Sequence, residues 1–183
     1  CVSFAENKET SIYNMSRHLG RDCEKCLKNE KCRFLDFVTV KEEGMSSVLE
    51  LILAEVENTK AKRLVIDSYS AMTEAIKEKI DARIIIHTIL GKLVRKLGCT
   101  MVLISEVPIG KERIGIGMEE FVADGLIRLK TSELDGRLLR DLEIIKLRGT
   151  KLPERKLVFT LEGGFKALPP FRAEPTERRE RFK

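Results

Sequence analysis

The stretch "KRLVIDSYSAM", Lys62 to Met72, decides how this chain folds. Leu64, Val65 and Ile66 run together and end at Asp67, without the polar alternation of a half-exposed strand. Such a run is expected of a central strand in a parallel sheet, covered on both faces. Downstream, "TMVLISE" (Thr100 to Glu106) reads as a second buried strand, and the opening "CVSFAE" as a third. A helix between about Lys79 and Leu97 keeps Ile86, Leu90, Leu93 and Leu97 in phase, and Cys99 closes it. Upstream, "KETSIYNMSRHLG" places Ile12, Met15 and Leu19 at helical spacing and stops at Gly20, and "RFLDFVTV" reads as a strand. A long helix then carries Val48, Leu51, Ile52, Glu55 and Val56 on its apolar period. Alternating strands and helices predict an α/β domain with a mostly parallel central sheet flanked by helices.

The second half changes rhythm. Two strands surround an Asp135-Gly136 turn, and "RKLVFTLEGGFKAL" reads as a further hairpin around Gly163-Gly164, giving an antiparallel C-terminal hairpin extension. Residues 1–168 are read as one domain and residues 169–183 as a basic, disordered or extended tail. No internal repeat is evident. The chain has 183 residues, 43% hydrophobic and 34% charged, with a net charge of +5, of which the tail carries about +2. The body is too weakly basic to declare a nucleic-acid surface. Without a signal peptide or a membrane-spanning run, a cytoplasmic protein with no membrane partner is expected.

Ligands of open α/β sheets bind beyond the carboxyl ends of the strands. Three acids stand there: Glu6, Asp67 and Glu106. Each alone reads equally as a helix cap or a solvated loop residue. Asp67 followed by Ser68 suits a Walker B position, which holds Mg²⁺, usually through water, opposite nucleotide phosphates. Glu6, on a neighbouring strand, is placed to orient or deprotonate an attacking water. Near the far end of the sequence, "EIIKLRGTK" sets Lys146 and Arg148 two residues apart on a strand that breaks at Gly149. A solvated strand end is the bland reading; an anion is the sharp one.

Taken together, "VSFAEN…LGRD", "KRLVIDSYSAM", "GIGMEEFVADGLIRL" and "KLRGTK" resemble the KaiC-like ATPases of the RecA superfamily, up to about Leu168. The resemblance implies a RecA-like fold, ATP and Mg²⁺ as ligands, and a self-assembled ring, typically a hexamer. It makes Asp67 the Walker B acid and puts Glu106 at the sensor strand end. It also sends Lys146 and Arg148 across a subunit interface to the neighbour's ATP, with Arg148 an arginine finger. The loop "PIGKERIGIGMEE" corresponds to one that faces the central pore, where Lys111 and Arg113 could touch a polyanion; incidental surface charge explains them as well.

The sequence departs from that pattern in three places. Phe4-Ala5-Glu6 replaces Phe-Glu-Glu, leaving open whether Glu6 suffices as the base. Arg21 stands where the family has Trp. No GxxxxGK[ST] is present, and the chain opens at Cys1 instead of Met, so the phosphate loop is expected upstream. A catalytically inactive ring subunit and a single-strand nucleic-acid-binding recombinase paralogue are the alternative functions. Cys23, Cys26 and Cys32 supply three-quarters of a zinc site with no evident fourth ligand, so reduced, partly buried cysteines are the preferred reading.

Overall fold

The structure, a computed structural model, describes residues 1–19, 23–37, 45–74, 96–107, 123–134, 136–152 and 155–168. Strand β1 (Val2–Ser3) lies between β2 (Leu35–Asp36) and β3 (Arg63–Asp67), and β3 pairs with β4 (Thr100–Ile104). All three pairings are parallel, with Val2 opposite both Leu35 and Ile66, and Asp67 opposite Ile104. The predicted central sheet is therefore present, in the order β2-β1-β3-β4. Among the described residues of the "RFLDFVTV" strand, Leu35–Asp36 are paired.

Local chemistry starts and stops the helices. Helix α1 (Lys8–Leu19) begins at Asn7, whose Oδ1 accepts the Thr10 N–H at 2.9 Å as an N-cap. A short helix that the sequence pattern does not reveal, α2 (Cys23–Lys28), carries the first two of the three clustered cysteines. Helix α3 (Met45–Thr59) closes in a Schellman motif: Lys60, at φ 50°, donates to Glu57 O at 3.1 Å, and Ala61 donates to Val56 O at 3.1 Å.

The core of this parallel-sheet unit joins Val2, Leu64, Ile66 and Cys99 to Val48, Leu49, Ile52 and Val56 of α3 and to Tyr69 and Met72. Two expectations need correction. The apolar period includes Leu51 in the buried face of α3, but Leu51 is 51% exposed, because Val48, Leu49, Ile52 and Val56 form the inner stripe. The sequence of β4 reads as buried on both faces, yet Val102 and Ile104, which share one face of the strand, are exposed. Met101 and Leu103, on its other face, pack against the core.

The second compact unit is an antiparallel sheet of order β5-β6-β7-β8. Strands β5 (Gly125–Leu134) and β6 (Arg137–Leu147) form the first predicted hairpin, with Gly136 at φ 73° in the turn. The second joins β7 (Lys156–Thr160) and β8 (Lys166–Ala167) through Gly163 and Gly164, and Phe159 stacks on Phe165 with centroids 5.0 Å apart. Arg128 lies opposite Glu143 and holds its carboxyl below the usual carboxylate range through a side-chain hydrogen bond.

Most of the predicted helix from about Lys79 to Leu97, the loop with Lys111 and Arg113, Arg21 and the tail lie outside the described residues. Among the described residues, no helix is long and apolar enough to cross a membrane. Cys99 is buried just ahead of β4, Cys23 is half-buried, and Cys1, Cys26 and Cys32 are exposed; all five are free thiols.

Candidate nucleotide site

β3 delivers Asp67 to the carboxyl end of the parallel sheet, and the turn beyond it is built by Ser68. This residue, fully buried, accepts the Ala71 N–H at 3.2 Å on its hydroxyl, which makes it the N-cap of α4 (Tyr69–Glu74). Its carbonyl takes the first helical bond, from Met72 N–H, at 3.2 Å. The Ser68 hydroxyl is thus occupied with shaping the chain next to Asp67. The Asp67–Ser68 peptide bond is cis.

Ser70 is a positioning residue that sequence reasoning does not find. Its Oγ donates to Ser68 Oγ at 3.2 Å and accepts the backbone N–H of Glu106 at 3.2 Å. One hydroxyl therefore joins the segments that follow β3 and β4, through residues 36 positions apart. The alternating serines of "DSYS" are the only signal for it, and they do not reveal a partner that distant.

Glu6 is held as firmly at the end of β1. The buried Ser3 hydroxyl donates to Glu6 O at 2.6 Å and accepts Glu6 N–H at 3.1 Å, and Ser11 Oγ donates to Glu6 Oε2 at 3.1 Å. Phe4 N–H donates to Asp67 O at 2.7 Å, so β1 and β3 are stitched together where they present their acids. Ala5 is exposed beside Glu6 and contributes no polar group.

These three acids converge electrostatically. The Asp67 carboxyl is raised above its ordinary value, first by desolvation and then by the negative charges of Glu6 and Glu106. Among the described residues no lysine or arginine forms an ion pair with any of them. A divalent cation would relieve that repulsion, so the donor set fits Mg²⁺. No three acids meet around one point among the described residues, which suits a metal held through water more than a direct cage. The Ser105 hydroxyl, at the end of β4, is buried with no hydrogen-bond partner among the described residues, a polar group left for a ligand or water.

The shift of Asp67 has a consequence for stability. A carboxyl whose folded pKa lies above its unfolded value makes the folded state bind protons more tightly. Ionised Asp67 therefore destabilises the fold above the raised value, and the penalty fades as pH falls through that value toward 3.8. Asp67→Asn is expected to raise the melting temperature of the metal-free chain at neutral pH, by an amount that solvent screening of a half-buried group keeps small. The gain should vanish in acid, as thermal melts across a pH series would reveal.

In the antiparallel unit, the end of β6 and the residue just beyond it carry the two predicted cations, Lys146 and Arg148. A bulge between Leu126 and Ile127 leaves Ile145 unpaired and puts Lys146 opposite Leu126. Lys146 Nζ donates to Ala123 O at 2.7 Å. Arg148 donates its backbone N–H to Asp124 O at 2.8 Å, and its guanidinium faces Asp124 Oδ1 at 3.4 Å. Arg148 is 58% exposed and Asp124 76%. An ion pair this open contributes only about 0–1 kcal/mol, little enough for a phosphate to displace. Gly149, at φ 73°, turns the chain immediately afterwards.

A parallel β2-β1-β3-β4 sheet with acids at its carboxyl ends, followed by an antiparallel extension carrying a Lys-x-Arg pair, defines a RecA-like α/β fold. Residues 1–165 match the model of the family described as "ATPase: KaiC", and the chain belongs to that family. It is 32% identical over 125 residues to a UPF0273 protein of Aeropyrum pernix, covering 68% of this chain and 49% of that protein. A UPF0273 protein of Thermotoga maritima is 34% identical over 119 residues, 65% of this chain and 48% of the relative. The chain thus spans about half the length of these curated relatives. Among solved structures, the KaiC-like protein PH0186 of Pyrococcus horikoshii OT3 superposes with a TM-score of 0.77 at 30% identity, over 92% of this chain and 74% of that one.

Proposed function

We propose that this chain is the larger part of an ATP-hydrolysing, ring-forming domain that binds ATP·Mg²⁺ between neighbouring subunits. The observation that carries the reading is the convergence of Glu6, Asp67 and Glu106 on one sheet end, where Asp67 is hard to ionise and among the described residues no basic side chain pairs with it. Bound Mg²⁺ supplies positive charge to the phosphate oxygens. Asp67 is the residue that would hold that ion. Glu6, oriented by Ser3 and Ser11, accepts a proton from the attacking water. Lys146 and Arg148 reach the nucleotide of the adjacent subunit and donate to oxygens that gain charge during transfer.

The main triphosphate clamp, a glycine-rich phosphate loop, belongs in this reading to sequence upstream of Cys1. Calorimetric titration with ATP·Mg²⁺ tests the proposal, run on this chain and on a version extended upstream through the relatives' additional length. Binding by the extended form, with hydrolysis that falls roughly 10²–10⁴-fold in Glu6→Gln, supports it. Absence of binding by both forms overturns it. Binding without turnover would favour an inactive ring subunit, with Ala5 marking the lost base.

A further inference from the structure

Strand β6 does not keep one alternation along its length, and the break decides which way Lys146 and Arg148 face. In a strand, successive side chains point to opposite faces, and residues directly opposite across a ladder share a face. Pairing of Ile127 with Ile144, Leu129 with Leu142 and Leu142 with Leu157 therefore gives the antiparallel sheet an apolar face. The other face is ionic. Arg128 lies opposite Glu143, Lys130 opposite Asp141 and Lys156 opposite Glu143, and Ser132 Oγ donates to Asp141 Oδ2 at 3.0 Å.

By simple alternation Lys146 and Arg148 would follow Leu142 and Ile144 onto the apolar face, and Leu147 would follow Glu143 onto the ionic one. The bulge reverses that. Between the Ile127–Ile144 and Leu126–Lys146 pairs the ladder moves one residue along β5 but two along β6, so Ile145 is the extra residue. Lys146 then shares the face of Leu126 and Arg128, and the Arg148 N–H carries the ladder one step further, onto Asp124 O. Leu147 moves the other way and joins Ile127 and Ile144. It lies opposite Gly125, where a Cβ would come within 3.1 Å of Leu147 Cδ1. One extra residue thus sorts the end of the strand by polarity.

We infer, on the reading of Lys146 and Arg148 as cations that act across a subunit interface, that the Ile145 bulge is their positioning element: it turns both onto the ionic face of the sheet, the face that the neighbouring subunit's nucleotide phosphates meet. Bulges beside active sites re-aim side chains in this way. On the apolar face the same two charges would be desolvated by any packing against it.

Two changes to the upstream-extended, assembled protein test this. Insertion of one alanine between Leu126 and Ile127 gives Ile145 a partner, makes the ladder regular and turns the segment beyond it over, with Lys146 still opposite Leu126. Turnover should fall about as far as on removal of an arginine finger, about 10³–10⁵-fold, with ATP·Mg²⁺ affinity little changed. Deleting Ile145 from the inserted variant moves the extra residue to β5 and turns the segment back. Turnover should then return to within about 10²-fold of the unmodified protein, the loss that a 1 Å misplacement brings. A bulge that served stability alone would give no such recovery. Full turnover in the inserted variant, or a double variant that folds and stays as inactive as the single one, would overturn the inference. The register is checked without nucleotide in the 183-residue chain, whether or not the variants fold. Nuclear Overhauser contacts should link the side chains of Lys146 and Leu126; contacts of Leu126 with Ile145 in place of Lys146 would also overturn it. If the unmodified extended protein binds no ATP, the ATPase reading falls and the phosphate-facing role with it, a result distinct from loss in the variants alone.

Discussion

Arg148→Ala is expected to lower ATP turnover of the upstream-extended, assembled protein by about 10³–10⁵-fold, the range for removal of an arginine finger. ATP·Mg²⁺ affinity should change far less, because a finger acts on charge that develops during transfer. The neighbourhood of Arg148 supports the mutation as a clean test. The side chain is exposed and its ion pair with Asp124 is open to solvent, so its loss should leave the fold intact. Mixing Arg148→Ala subunits with Asp67→Ala subunits separates action across an interface from action within one chain. If the finger works in trans, mixed assemblies contain interfaces that combine an intact Asp67 with an intact Arg148, and activity returns. A mixture as inactive as its parents would remove the trans assignment.

The largest effect on stability is expected at Ile52. It is 1% exposed and belongs to the cluster that joins α3 to Val2, Leu64 and Ile66. Ile52→Ala should cost about 2–5 kcal/mol, through lost burial and the cavity left between helix and sheet. That is a large part of the roughly 5–15 kcal/mol typical of a whole domain. Leu51→Ala, one residue earlier but 51% exposed, should stay within about 0.5 kcal/mol. Urea denaturation monitored by far-ultraviolet circular dichroism compares the two directly. Equal losses would mean that the inner stripe of α3 has been misassigned.

The Leu51 and Ile52 pair also marks a limit of pattern reading. Apolar periodicity finds the helix, but both residues lie within the width of an apolar stripe, and only the position of the sheet decides which one turns inward. β4 behaves similarly: "TMVLI" is apolar after Thr100, and only the packing of Met101 and Leu103 on the core shows that Val102 and Ile104 face the other way and are exposed. α2 escapes notice because six residues with lysines and cysteines carry too little periodicity to register.

Contiguous residues are enough to read the strands, their closing acids, both hairpins and the Lys146 and Arg148 pair, because each of these obeys a local periodicity or a local turn chemistry. Three-dimensional packing is needed before Ser70 joins the segments that follow β3 and β4, and before a bulge sets Lys146 opposite Leu126. Those features depend on strand register and on hydrogen bonds between residues 20 to 36 positions apart. Contacts of that kind form only once packing has compensated the entropy of closing the intervening chain, and no short window of sequence encodes them.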